Sequence, residues 1–141
     1  MKEAKLLILA LAICLTTTKV QAQSHIDTSY LYEFDMKYVG SNSSVDPNYR
    51  YVLEHLIELL EKEPDLKVHI RGHVCCGPSE RLSKKRARKV YRLLKRIGIS
   101  KERMTYKGYS DTAPLVFPEK TEEDEAKNRR VDFILSKKIK Q

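Results

Sequence analysis

The groups most able to do chemistry lie close together: His73, Cys75 and Cys76 in one short stretch, and Arg86 in the run that follows. Two adjacent cysteines have three uses: a local disulfide that clips their turn, thiols that pair between chains, or, with His73, a soft-metal His-x-Cys-Cys set. A bridge between neighbours closes only as a strained ring, because disulfides prefer Cα atoms further apart than one peptide step. Such a bond rigidifies its turn and is comparatively reducible. His73 near Cys75 also raises a nucleophile reading, since an imidazole activates a nearby thiol. No orienting acid, oxyanion-hole motif or Cys-x-x-Cys spacing accompanies the pair, so the chain reads as a non-enzyme without a cofactor. His69 and His73 then read as exposed strand histidines.

Arg86 stands out for a different reason. Stepping about 100° per residue from Leu82, Leu82, Ala87, Val90, Tyr91, Leu93, Leu94 and Ile97 share one half of a helix. Lys84, Lys85, Arg88, Lys89, Arg92, Lys95 and Arg96 share the other. Arg86 falls between Leu93 and Ile97 on the apolar half, where a guanidinium needs an anionic partner or a route to water. The cationic half is either a ligand surface or a solvated face.

The elements that position these groups follow from periodicity. Residues 30–38 alternate with Tyr30, Tyr32, Phe34, Met36 and Tyr38 on one side, which predicts a strand. Asp46-Pro47 reads as an N-cap and first helical residue, Val52, Leu53, Leu56, Ile57 and Leu60 recur at helical spacing, and Pro64 ends the helix. Residues 66–74 alternate strictly, with Leu66, Val68, Ile70 and Val74 opposite Lys67, His69, Arg71 and His73, so one face is wet. The basic helix begins near Ser79 and closes at Gly98. One short turn at 100–103, a strand at 104–108, a loop at 109–120 broken by Pro114 and Pro118, an acidic helical turn at 121–127, a strand at 130–136 and a basic tail complete the chain. The order β-α-β-α-β-β predicts an α/β (α+β) two-layer sandwich, two helices packed on one face of a mixed sheet.

The chain has 141 residues and a formal charge of +8. Lys2 and Lys5 precede an apolar run too short to span a bilayer, and Val20-Gln21-Ala22 suits signal peptidase, so residues 1–22 read as a signal peptide. Residues 23–141 then form one domain, core about 30–136, with no membrane span. Loss of the leader lowers the charge from +8 to +6. Bulky Ile13 before Cys14 argues against a lipid anchor there. Export removes nucleic acid as a partner for the basic face and leaves phosphorylated glycolipids, acidic headgroups and cell-wall carboxylates.

Taken in order, Gly72-His73, Leu82-Ser83 with Arg86-Ala87, Gly98-Ile99, the 107–114 segment and Asn128-Arg129-Arg130-Val131 resemble the OmpA-like C-terminal domain family over about 34–135. The resemblance implies the fold above and a periplasmic, outer-membrane-associated domain that grips peptidoglycan without being an enzyme. It implies that Arg86 binds the carboxylate of a diaminopimelate stem residue. Cys75 stands where the family has an aspartate for the same residue's ammonium group, and Ser79 where it has an asparagine. Losing that ion pair costs roughly 2–5 kcal/mol. A Cys75 thiolate, Asp46 or Asp111 are the substitutes on offer. The ligand set expected is Arg86, Cys75, Ser79, Ser83, Asn128, Arg129 and Arg130. One of the two arginines faces the site loops and the other pairs with Asp132 or the acidic turn. The competing reading is a diverged domain that no longer binds diaminopimelate. It would act through Cys75 and Cys76, or a metal on His73, Cys75 and Cys76, as a structural, redox- or metal-responsive module for other envelope proteins.

Overall fold

The strictly alternating stretch beginning at Leu66 is an inner strand of the sheet in the computed structural model, which describes residues 27–31 and 34–138. β1 (Asp27–Leu31) and β2 (Met36–Lys37) both run antiparallel to β5 (Arg130–Lys138). β5 runs antiparallel to β3 (Leu66–Gly72), and β3 lies parallel to β4 (Met104–Gly108). The sheet is mixed, in the order β1-β5-β3-β4, with β2 also on β5. Helices α1 (Arg50–Lys62) and α2 (Glu80–Arg96) complete the two-layer fold, and a short α3 (Glu122–Asn128) leads into β5. The expected fold class and element order are those observed. The expected leader, Cys14, Tyr32 and the last residues of the basic tail lie outside the described residues.

Two boundaries differ from expectation. The first strand is split: the chain takes five steps from Leu31 to Met36 while β5 takes three from Ile134 to Val131. An even excess keeps the alternation in phase, so Met36 still faces the core. The last strand runs on to Lys138 because β1 pairs with its end.

Alternation in the strands supplies one apolar face. Leu66, Val68 and Ile70 of β3 and Val131, Phe133 and Leu135 of β5 meet Val52, Leu56 and Leu60 of α1 and Ala87, Val90 and Leu94 of α2 in one core. Arg103 closes the C-terminal end of α1, its Nη2 donating to the Leu60 and Glu63 carbonyls at 2.7 and 2.8 Å and its Nε to Leu66 O at 2.9 Å. Ser79 caps α2, and Gly98, at φ +102°, follows its end. Ile97, on the apolar half of the wheel, is 45% exposed because it stands at the helix's C-cap.

α2 lies unusually close to β3 and β4. Gly72 and Gly108 are register partners, and a Cβ at Gly72 would stand 2.0 Å from the Ser83 carbonyl oxygen, one at Gly108 2.5 Å from the Lys84 nitrogen. Two glycines side by side thus make the notch into which the helix backbone settles. Ser83, fully buried there, donates to Glu80 O and accepts from Ser110 N.

The opposite sheet face is less wet than alternation predicts. His73 is buried, stacked on Tyr109 at 5.7 Å, with Nε2 3.2 Å from Asp132 Oδ2 in a poorly aligned approach. Its expected exposure is corrected by Tyr109 and the loop after β4, which cover this end of the face. Asp132 accepts from Arg71 Nε and Nη2 at 2.5 and 2.9 Å and from Arg130 Nε at 3.0 Å. Burial alone would raise the Asp132 carboxyl, but the close approach of His73, the Arg71 hydrogen bonds and the charges of His73 and Arg130 bring it down to about 2.

Two outcomes follow for stability. Gly72→Ala should cost at least about 3 kcal/mol in chemical denaturation, since the clash is with backbone rather than a flexible side-chain end. Asp132 should contribute about 2–3 kcal/mol, present in full above the unfolded carboxyl value of about 4 and lost as pH falls through about 2. Melts recorded down this range should show the loss in wild type, and Asp132→Asn should be less stable at neutral pH and lack that acid-dependent fall.

Candidate functional site

β3 ends at Gly72, and His73 N and Val74 N carry the strand direction on by donating to Arg130 O and Ser110 O. The chain then reverses into α2 through Cys75, Cys76, Gly77 and Pro78, with positive φ at Cys76 (63°) and Gly77 (112°). Cys75 and Cys76 are joined by a disulfide. Of the readings open to the pair, the structure has the local clip. The His73-Cys75-Cys76 metal set is not assembled, because His73 is committed to Tyr109 and Asp132. Among the described residues, Cys75, Cys76 and Glu125 bring ligand atoms within 4.8 Å of one another at this turn, but the disulfide leaves the two sulfurs without the thiolates that a metal binds.

Arg86 is wholly buried below the turn. Its Nε donates to Asn42 O at 2.9 Å, Nη1 to His73 O at 2.8 Å and Nη2 to Gly40 O at 2.6 Å. The Tyr38 ring lies 4.7 Å from the guanidinium carbon. The partner that the helical wheel demands is therefore a set of carbonyl dipoles. Burial lowers the Arg86 pKa, Tyr38 opposes this and Arg129 adds to it; arginine nevertheless stays protonated. Burial also pushes the Tyr38 phenol up to about 12, against the pull of Arg86.

A pocket of about 550 Å³ opens here, lined by Gly40 and Ser41, the turn from Val74 to Ser79, Leu82, Arg86 and Arg129. Arg129 Nη1 lies 3.3 Å from Cys75 Sγ and 3.0 Å from Glu125 Oε2, a pairing set by i,i+4 spacing at the end of α3. Four of the expected ligand residues, Arg86, Cys75, Ser79 and Arg129, thus share one cavity.

The other three are placed elsewhere. Ser83 lies in the glycine notch. Asn128 accepts from Leu115 N and Val116 N and donates to Val116 O and Glu119 Oε1, which fixes the 113–119 loop. Arg130 pairs with Asp132, two residues on along β5, on the other face of the sheet. Asp46 caps the turn before α1, and Asp111 accepts from Ser110 Oγ; neither lines the pocket. Sequence reasoning missed Glu125 and Glu119 as groups of this site. Glu119 accepts from Cys76 N. The i,i+4 spacing of Glu125 and Arg129 was the available signal for the first; the second has none, because it is brought by a loop.

Arg86 holds this pocket together before any ligand arrives. Arg86→Ala should cost about 3 kcal/mol or more, since the buried carbonyls at 40, 42 and 73 lose a charged donor. Arg86→Lys, which offers one nitrogen for three carbonyls, should recover only part. Denaturant midpoints of the two variants check this.

Comparison with known proteins places this geometry. Residues 38–129 match the OmpA family. Outer membrane porin F of Pseudomonas fluorescens is 33% identical over 104 residues, which is 71% of this chain and 32% of that protein. The chain therefore spans about a third of that relative's length. The peptidoglycan-associated lipoprotein from Burkholderia pseudomallei shares the fold with TM-score 0.66 at 23% identity, covering 72% of this chain and 88% of that one. The C-terminal domain of Helicobacter pylori MotB does so with TM-score 0.66 at 18% identity, covering 72% and 83%.

Proposed function

Because the chain belongs to the OmpA family, we propose that it is an exported, non-enzymatic envelope domain that holds peptidoglycan by stem-peptide carboxylates, in the periplasm and associated with the outer membrane. The observation that carries this reading is Arg86: a fully buried cation at the wall of a 550 Å³ pocket, neutralised by no carboxylate among the described residues. A ligand carboxylate completes it. Arg129, 12% exposed on the same wall, is the second cation, and Ser79 is a polar neighbour. The names of the lipoprotein and the porin fit an envelope role. Among the described residues no helix is long and apolar enough to cross a membrane.

The ammonium end of a diaminopimelate residue meets a different environment from the one the family aspartate would give. Cys75 is tied up in a neutral disulfide. Glu125, whose carboxylate lies within 4.8 Å of both sulfurs, takes the part that neither Asp46 nor Asp111 is placed to take. Ser83, Asn128 and Arg130 support the site from the scaffold.

A second reading rests on one contact. With Cys75 Sγ 3.3 Å from the Arg129 guanidinium, reduction of the disulfide by a dithiol, which supplies two electrons and two protons, leaves two thiols, one of them against that charge. The domain is then a redox-responsive interaction module for other envelope proteins, and its grip on the wall changes with the state of Cys75–Cys76.

Sedimentation with purified sacculi separates the two. Under oxidising conditions wild type should pellet, a stem peptide with a free diaminopimelate carboxylate should compete, and its amidated form should not. Arg129→Gln should weaken binding by about 2 kcal/mol, a factor of about 30, and unlike Arg86→Ala it leaves the three Arg86 carbonyl contacts in place. Protein that stays in the supernatant oxidised and pellets only after dithiol treatment supports the second reading; protein that ignores sacculi in both states ends the first.

A further inference from the structure

The cations of α2 are spent on no acid. Arg81, Lys84, Lys85, Arg88, Arg92, Lys95 and Arg96 are exposed, and among the described residues none has a carboxylate within 4 Å. Elsewhere the fold pairs its charges: Asp35 with Lys37, Glu63 with Lys137, Glu123 with Lys127, Glu125 with Arg129 and Asp132 with Arg71. Five of these, from Arg81 to Arg92, surround with Lys89 and Tyr106 a depression of about 600 Å³.

The ridge does not stand alone. Between α1 and α2 runs a groove of about 1080 Å³ with Leu53, Ile57, Leu93 and Ile97 as its apolar part. Lys89 and Arg92 belong to both the groove and the depression, and Lys95 and Arg96 extend the cationic rim. The acids in the groove, Asp46 and Glu54, come from the α1 side, and Asp46 is engaged as a cap. A merely solvated helix needs no such slot beside it, and a nucleic acid backbone would use the ridge and leave the slot empty. An anionic lipid uses both, with phosphate against guanidinium groups and hydrocarbon against Leu93 and Ile97.

We propose that the α2 ridge and the adjoining α1–α2 groove form a docking surface for an anionic membrane, whose lipid phosphates seat on Arg88, Lys89 and Arg92. The surface lies along α2, the helix whose first turns line the Cys75–Arg86 pocket, and the groove reaches its last turn at Ile97. One domain then meets a bilayer and a second ligand without either displacing the other. The membrane site does not depend on what the pocket binds.

The test uses the protein in its natural processed form and vesicles of phosphatidylglycerol with phosphatidylethanolamine, against vesicles of phosphatidylcholine. Wild type should sediment with the anionic vesicles alone, and less as salt rises. Each Lys or Arg at such a surface is worth about fivefold in binding, so Arg88→Gln with Arg92→Gln should weaken it about 25-fold. Ile97→Ser should weaken it several-fold while leaving the salt dependence unchanged. All these positions are exposed, melting curves should match wild type, and every variant carries the same N-terminus, so the difference reads the surface alone. Vesicle binding indifferent to Arg88 and Arg92 would overturn the proposal. So would protein that ignores anionic vesicles but binds duplex DNA, or self-associates, through the same residues.

Discussion

A buried guanidinium held by neutral carbonyls is the constraint on which the pocket depends. Arg86 draws Gly40, Asn42 and His73 toward one point, so a loop, a strand end and a helix that are remote in sequence become a single wall. Removing an arginine from water is costly, and dipoles offset that cost only when several converge with good geometry. The arrangement therefore fixes the backbone tightly and leaves the net charge in place. A carboxylate at Arg86 would stabilise the cation better and abolish its ability to attract anything else.

The opposite sheet face solves the same problem with the opposite sign. There one buried carboxylate, Asp132, takes Arg71 and Arg130 together, and His73 and Tyr109 seal it from water. Arg129 and Arg130 show how the two solutions are kept apart. Successive residues at a strand start point to opposite faces, so Arg130 goes to Asp132 and Arg129 to the pocket. A pair of adjacent arginines is thereby a device for serving both faces from one backbone step, with Asn128 beside them pinning the loop that flanks the site.

This division explains what could be read in advance. Periodicity of two and of about 3.6 is a local property, and it placed β3, both long helices, β4 and the core with few errors. Arg86 was visible because it violated the apolar half of its helix. Its partners were not, because backbone carbonyls carry no residue signature and those at 40 and 42 come from another part of the chain. His73 illustrates the converse: alternation assigns a strand face correctly but cannot say that Tyr109 will cover it. The motif residues were legible as a set, yet a motif does not distinguish groups that face a ligand from groups that let a helix approach a sheet. Gly72, Gly108 and Ser83 belong to the latter kind, since only the 2.0 and 2.5 Å approaches reveal why no side chain fits there.

The disulfide bears on the electrostatics of the pocket. Where the family carries an acid, Cys75 brings no charge while it is bonded to Cys76. Of the acids beside the turn, Glu125 is 40% exposed and already divides its charge with Arg129, and Glu119 accepts from Cys76 N. Arg86 and Arg129 therefore line the cavity, while the two carboxylates beside the turn, Glu125 and Glu119, stand outside its lining and are engaged with Arg129 and with Cys76 N. A bonded sulfur carries no charge to set against Arg129, whereas two-electron reduction by a dithiol would give two thiols, with the Cys75 sulfur held 3.3 Å from that guanidinium.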